Sequence, residues 1–468
     1  MKRKGYFPSI LLLLVILAIP LGGILTGNDI LMRTQNLTNA SIKTSATEFH
    51  QKWFGTWGGN EEEYGDGVAV ASPGRIYITG QTGSFASLHS DAFTAAYNKT
   101  GGETWYSRWG SQYGRFYDAR AKDIALNDTG YIFITGKDNR SGDYNAFLVC
   151  YDDKDADEPL WNKTWGTSEY EEAFGIALDM NNNIYITGKT YNQTDDDYDI
   201  FIVKFNNTGE YQWNTTWDGG NDDMGYGIAL DATGNIYIAG KTNRSVSEDF
   251  DALLLKFNNS NIYQWNETWD GANTNDAAYD LVIDSAGNLA ITGVIDNDLF
   301  LSKYDEEGNE LIIETWRGDG IDVGYGITLD NSDNFYVAGK TNSSGSQDFD
   351  ALLVQFSNSG TRLLNTTLGG DNEDIAYDIA VDDSSGYIYL TGGTSSFSLL
   401  TDTSSVFITE YEIIDDGGNG GGGDDTNGIP GYSPLLLISI MGLLALIIGL
   451  RFSSKNGKRF SNKVRRIH

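Results

Sequence analysis

The sequence predicts an all-β fold, a seven-bladed β-propeller of four-stranded antiparallel blades, on three observations. A strand ending in Thr-Gly or Ala-Gly recurs at Gly80, Gly136, Gly188, Gly240, Gly293, Gly339 and Gly392. Successive copies lie 46 to 56 residues apart, enough for four strands and more than ankyrin or tetratricopeptide repeats occupy. Within each copy apolar residues alternate with period two, the mark of half-buried strands, and no stripe of period 3.6 competes.

The chain begins with Lys2, Arg3 and Lys4 ahead of a long apolar run. That layout predicts a secretory signal peptide or an uncleaved signal anchor over residues 1–28. Residues 29–50 read as a linker and residues 51–414 as the propeller. In the copy around Gly240, strand a is expected at 226–231, strand b at 236–242, strand c at 251–258 and strand d at 263–271. Gly234 and Asn235 supply positive-φ positions for the a–b hairpin. Ile236 and Ile238 point to one side of strand b, Tyr237 and Ala239 to the other, so both faces are apolar, as blades packed on both sides require.

Each strand d carries a tryptophan, at Trp57, Trp109, Trp165, Trp217, Trp269 and Trp316, with Leu368 in the seventh place. These read as inter-blade core rather than as a ligand platform. The first segment, WFGTWGG at 53–59, looks like a strand d with no a, b or c before it, whereas the last copy lacks a strand d. Together they complete one blade and close the ring, which removes the open edges that invite aggregation. A ring closed on itself needs no second copy, so a monomer is expected.

Beyond the ring, residues 415–433 form a Gly/Asp-rich linker that ends in Ile429, Pro430, Gly431 and Tyr432. Residues 434–452 are apolar enough for a transmembrane helix of about 25 Å. Residues 453–468, with Lys455, Lys458, Arg459, Lys463, Arg465 and Arg466, form a basic tail that the positive-inside rule places in the cytoplasm. The propeller would then face outward. Sequons agree with an exterior location: Asn98, Asn127, Asn139, Asn162, Asn192, Asn214, Asn243, Asn266, Asn342 and Asn365 are glycosylation candidates, with further matches at Asn36, Asn39, Asn206 and Asn258.

The net charge of −33 understates the acidity of the ring, because residues 1–28 and 429–468 are basic and contain no Asp or Glu. Such a body repels nucleic acid, whose binding depends on Lys and Arg displacing counterions from phosphates. Aromatic residues make up 13% of the chain, which argues against disorder. Cys150 is the only cysteine, and the only histidines are His50, His89 and His468. Disulfides, cysteine cages, His-based triads and His-rich zinc sites are therefore not expected.

The long d–a and b–c loops collect the carboxylates, so one face is expected to be an acidic rim around the central channel that concentrates cations. Calcium takes oxygen ligands of this kind, and Glu171, Glu172, Asp222, Asp223 and Asp374 are the candidate metal ligands; solvated acidic loops account for the same residues without an ion. The stretch from Asp330 to Asn334 comes nearest to a calcium-loop pattern, but it lies on the short-turn face, where a plain turn suffices. Lys137, Lys189, Lys241 and Lys340 directly follow the repeat glycine and can reach a loop acid.

The copies resemble the SBBP repeat, a propeller repeat of bacterial and archaeal surface proteins. The residues that carry this are the Asp-rich turn before strand b, the IYITG core at 184–188 and its equivalents, and the D-A-[FL]-[LV]-x-K-[FY] strand at 251–257. Gln355 and Cys150 depart from its Lys, Asn145 from its Asp and Leu299 from its Ala. The resemblance implies a propeller scaffold over 51–414. The IPGY stretch, apolar segment and basic tail resemble archaeal C-terminal sorting signals of the PGF type, with Tyr432 where those have Phe. The expected function is a cell-surface scaffold that binds an envelope protein or polysaccharide through its acidic face, with calcium as a candidate cofactor. The alternatives are an extracellular carbohydrate-active enzyme, for which no catalytic residue is marked, and a purely structural envelope protein.

Overall fold

A computed structural model describes residues 47–414, apart from 72, 85–88, 111–116, 155–157, 245–248, 272–273, 344–347 and 399–402. The signal segment at 1–28, the linkers outside 47–414, the membrane helix at 434–452, the basic tail and Asn36 and Asn39 lie outside the described residues. Among the described residues no helix is long and apolar enough to cross a membrane.

Seven four-stranded antiparallel sheets follow one another along the chain. Blade 4 is representative: strand a is Asp223–Leu230, strand b Ile236–Thr242, strand c Asp251–Phe257 and strand d Tyr263–Trp269. Strand b is as expected from its alternation, and strand a begins three residues earlier than its apolar pattern suggested. One face of blade 4 packs Ile236, Ile238, Leu253, Leu255 and Phe257 against Ile200 and Ile202 of blade 3. The other packs Tyr237, Ala239, Ala252 and Leu254 against Leu281, Ile291 and Phe300 of blade 5. Each fully buried aliphatic side chain of this kind contributes about 1.5–3 kcal/mol, so stability comes from face-to-face stacking of blades.

Ring closure occurs as the sequence suggested. Glu48–Trp57 pairs antiparallel with Ser405–Ile414, from Glu48 opposite Ile414 to Trp57 opposite Val406. It completes the seventh sheet, whose inner strands are Tyr387–Thr394 and Asp374–Asp382. The strand d tryptophans join the core from its rim: Trp109 is buried, whereas Trp165, Trp217, Trp269 and Trp316 are half-buried against the inter-blade clusters.

The a–b turns are closed by an aspartate. Asp231 Oδ1 accepts the Thr233 and Asn235 amides, both at 2.9 Å, and its Oδ2 accepts the Asn235 side chain at 2.7 Å. Of the expected pair only Gly234 takes positive φ, at 84°; capping by Asp231 lets Asn235 enter strand b directly. Asp330 caps its own turn through the Ser332 and Asn334 amides, which accounts for the 330–334 stretch without an ion.

Candidate functional site

Each strand a departs from regular pairing at one residue. In blade 4 the register skips between Gly225 and Gly227, so Tyr226 is left unpaired. A bulge of this kind re-aims one side chain, and here the bulged positions come together around the ring axis. Phe174, Tyr226, Tyr279, Tyr325 and Tyr377 form a chain of rings with centroids 5.1–5.5 Å apart. Blades 1 and 2 place Asp66 and Lys122 at the equivalent positions, and these form an ion pair at 2.7 Å. A cavity of about 320 Å³ opens beside this pair, lined also by Tyr64, Gln81, Glu373 and Tyr377.

The next residue of strand a is glycine in four blades and aspartate in three, Asp123, Asp280 and Asp378. Each of these aspartates clamps two blades. Asp123 accepts its neighbour Ile124 at 2.7 Å and Ile176 of blade 3 at 2.8 Å. Asp280 accepts Leu281 at 2.8 Å and Ile327 of blade 6 at 2.9 Å. Asp378 accepts Ile379 and Val68 of blade 1, both at 2.7 Å. Burial pushes the carboxyls of Asp123 and Asp280 up to about 7 and raises that of Asp378 in the same direction. Repulsion from Asp280 adds to this at Asp123, and repulsion from both partners adds to it at Asp378.

The acid that opens strand a, or directly precedes it at Asp118 and Asp276, is buried in all seven blades, at Glu63, Asp118, Glu171, Asp223, Asp276, Asp322 and Asp374. Most of these hold the preceding loop. Glu171 accepts the Thr167 amide at 2.9 Å and the Thr190 hydroxyl at 3.0 Å. Asp374 accepts the Gly370 amide at 3.1 Å and the Thr394 hydroxyl. Glu172 faces Lys137 at 3.0 Å and Lys189 at 3.9 Å and accepts the Tyr170 hydroxyl at 2.8 Å. Asp222 accepts the Tyr198 amide at 3.1 Å. The five candidate metal ligands are thus spread over three blades, and only Asp223 falls within a carboxylate cluster among the described residues.

Acidic residues are exposed on this face at Glu61, Glu62, Asp195, Asp196, Asp218, Asp270, Asp371 and Glu373. The channel mouth itself differs from the expected acidic rim. Lys137 and Lys189 meet Glu172, while Lys241 lies 4.0 Å over the Phe250 ring and Lys340 4.1 Å over Phe349. Burial lowers the pKa of Lys137, Lys241 and Lys340. Acids therefore surround a mouth that carries lysines.

Two carboxylate clusters lie outside that mouth, Asp199 with Asp218 and Asp223, and Asp249 with Asp251 and Asp270; within each, one oxygen per residue lies within 4.8 Å of the others. Burial, with repulsion from neighbouring acids, lifts the carboxyls of Asp199 and Asp251 to about 6 and that of Asp223 to about 7. Sequence reasoning missed Asp199 and Asp218. The available signal was the Trp-Asp-Gly at 217–219, whose Trp-Asp recurs only at 269–270.

The glycosylation candidates fall into positional groups. Asn162, Asn214, Asn266 and Asn365 occupy one equivalent position on the outer strands, Asn139, Asn243 and Asn342 directly follow strand b on the loop face, and Asn192 ends a longer strand b; Asn98 and Asn127 sit in turns. Asn98, Asn162, Asn214 and Asn365 are exposed.

Among solved structures, the chain is similar to a protein of unknown function from Bacteroides caccae, with 11% identity over 66% of this chain and 94% of that one and a TM-score of 0.41. It is also similar to virginiamycin B lyase from Staphylococcus aureus, with 12% identity over 78% of this chain and 100% of that one and a TM-score of 0.49. No curated protein matches the chain. The family model of the SBBP β-propeller repeat matches residues 218–245, which run from the loop after Trp217 through strands a and b of blade 4. The chain therefore carries an SBBP β-propeller repeat within a seven-bladed propeller.

Proposed function

We propose that the protein is a cell-surface scaffold that binds an envelope protein or polysaccharide through the face formed by its d–a and b–c loops, assisted by calcium. The observation that carries this reading is the contrast between the two ends of the ring. On the short-turn end, aspartates such as Asp231 and Asp330 are consumed in closing their own turns. On the other end Glu61, Glu62, Asp195, Asp196, Asp371 and Glu373 stand exposed around buried latches. Surface carboxylates not needed by the fold favour cationic partner surfaces and metal ions. The apolar segment at 434–452 would tether the ring to the cell membrane with the propeller outside, and glycans on the exposed sequons would cover the rim of outer strands. Immobilised residues 47–414, screened against envelope proteins and polysaccharides with and without calcium, should show saturable binding that weakens as salt rises. Absence of saturable binding across the panel, or turnover of a polysaccharide, would count against a binding scaffold.

A further inference from the structure

We propose that Asp199, Asp218 and Asp223 form a calcium site at the junction of blades 3 and 4. The inference deepens the calcium part of the preceding reading and is independent of any macromolecular partner. Asp199 opens the apolar part of strand c in blade 3, Asp218 follows the strand d tryptophan, and Asp223 begins strand a of blade 4. Their carboxylates converge within 4.8 Å. Asp223 is 0% and Asp199 5% exposed, and Oδ1 of Asp199 has no hydrogen-bond partner. Their second oxygens are committed: Asp223 Oδ2 accepts the Gly219 amide at 2.6 Å and Asp199 Oδ2 accepts the Asn192 side chain at 3.1 Å. Thr242, opposite Asp223 in the sheet, offers its hydroxyl to the other Asp223 oxygen. A bare buried carboxylate oxygen beside two further carboxylates is costly unless a cation joins them.

The other blade junctions show how the fold treats the same place. The residue after the strand d tryptophan, or Leu368, is glycine at Gly58, Gly110, Gly166 and Gly369. A Cβ there would lie within 2.8 Å of a carboxylate or amide oxygen of strand c or strand a, so this position touches the acids directly. In blade 5 it is Arg317, which pairs with the strand c acid Asp298 at 3.5 Å. Blade 1 neutralises its strand c acid Asp91 with Arg108 at 3.3 Å. At Asp199 and Asp223 a third carboxylate stands where the guanidinium would be, so the positive charge has to come from solution. An all-oxygen donor set with no His or Cys selects a hard divalent ion, and carboxylates held on two strands and one loop suit the variable coordination of calcium better than the strictly octahedral coordination of the smaller magnesium. Asp251 and Asp270 repeat the first two positions one blade on, but their third partner is Asp249 of the b–c loop rather than the next blade's Asp276, and Arg244 relieves part of the charge at Asp251.

The test uses the full-length chain, equilibrium dialysis with calcium chloride, and thermal melting in calcium and in EDTA. Asp218 is exposed, so Asp218→Asn should fold while losing one bound calcium relative to wild type. Asp218→Arg should lose the same ion and melt in EDTA above wild type in EDTA, because a guanidinium then replaces the cation. Wild type that binds no calcium, or Asp218→Asn that keeps the full count, would overturn the site. Displacement of the ion by equimolar magnesium would overturn the choice of calcium. Neither result bears on partner binding, which is measured separately.

Discussion

The three clamp aspartates predict an unusual pH dependence. In the unfolded chain Asp123 and Asp280 titrate near 3.8, and in the ring near 7. Between those values the folded state holds protons that the unfolded state has released. A raised folded pKa contributes stability that is complete below the unfolded value and lost as pH rises through the folded one. For one group the difference amounts to a ceiling of about 4 kcal/mol, at 1.36 kcal/mol per pKa unit. Each side chain retains some contact with channel solvent, so about 2 kcal/mol per group is the working figure. The three repel one another and titrate as a unit.

The assay is guanidinium denaturation in EDTA followed by tryptophan fluorescence, at pH 5.5 and pH 8. Wild type should have the higher midpoint at pH 5.5. Asp280→Asn should shrink the difference between the two pH values by about 2 kcal/mol. It also loses one amide acceptor, to Leu281 or Ile327, and should be less stable by about 1–2 kcal/mol at pH 5.5, where the native carboxyl is already neutral. The turn aspartates act in the opposite sense: hydrogen bonds lower the pKa of Asp231, Asp330 and Asp382 against the effect of burial. Their contribution is lost only as pH falls below about 4, outside the window measured. A wild-type midpoint that rises from pH 5.5 to pH 8, or a pH difference unchanged by Asp280→Asn, would refute the clamp reasoning.

Two further predictions concern packing. Deleting residues 48–57 removes the partner of Ser405–Ile414 and takes Phe49, Trp53, Phe54 and Trp57 from the clusters they support; the ring should open, melt well below wild type and aggregate through the freed edge, and an unchanged melting temperature would show that closure is dispensable. Trp217→Ala should cost about 3 kcal/mol and Trp109→Ala about 5, the lower and upper ends of the range for a core aromatic, because Trp217 is half-buried whereas Trp109 is 5% exposed and packs 4.4 Å from Phe147. Equal midpoints for the two variants would contradict the rim placement of Trp217.

What could be read from the sequence was what repeats locally. Strand b shows itself in every copy because alternation and a terminal glycine lie within a few residues; Gly188, for example, leaves no space for a Cβ, which would sit 1.9 Å from Glu172 O. Closure was legible because an orphan strand d and an incomplete last copy complement each other. The junction site was not. Asp199, Asp218 and Asp223 come from three segments, and their type does not distinguish them from the other loop acids. Only setting the copies side by side shows that the position of Asp218 is glycine in four blades, arginine in one and aspartate again at Asp270. The lysines of the channel mouth were found, but their partners were only half read: Lys137 and Lys189 reach Glu172, whereas Lys241 and Lys340 rest on Phe250 and Phe349, rings supplied by b–c loops whose paths the repeat does not specify.

The placement of the clamps follows from the same neighbour logic. Gly67, Gly227 and Gly326 each precede a blade with a clamp aspartate, and a Cβ on them would lie 2.8–3.2 Å from the Cα of Asp123, Asp280 or Asp378. Crowding of this kind suits glycine in the blade before a clamp, and Gly175 shows that the same crowding holds without one, since a Cβ there would fall 2.4 Å from Tyr226 O. The chain has three clamps, in blades 2, 5 and 7, no two of them in adjacent blades. Blades 3 and 4 are the one adjacent pair in which neither blade carries a clamp aspartate, and their junction is where Asp199, Asp218 and Asp223 meet. A bound cation there would join strand c of blade 3 to strand a of blade 4 at an interface that, like those of blades 1 and 2, 4 and 5, and 6 and 7, has no aspartate clamp.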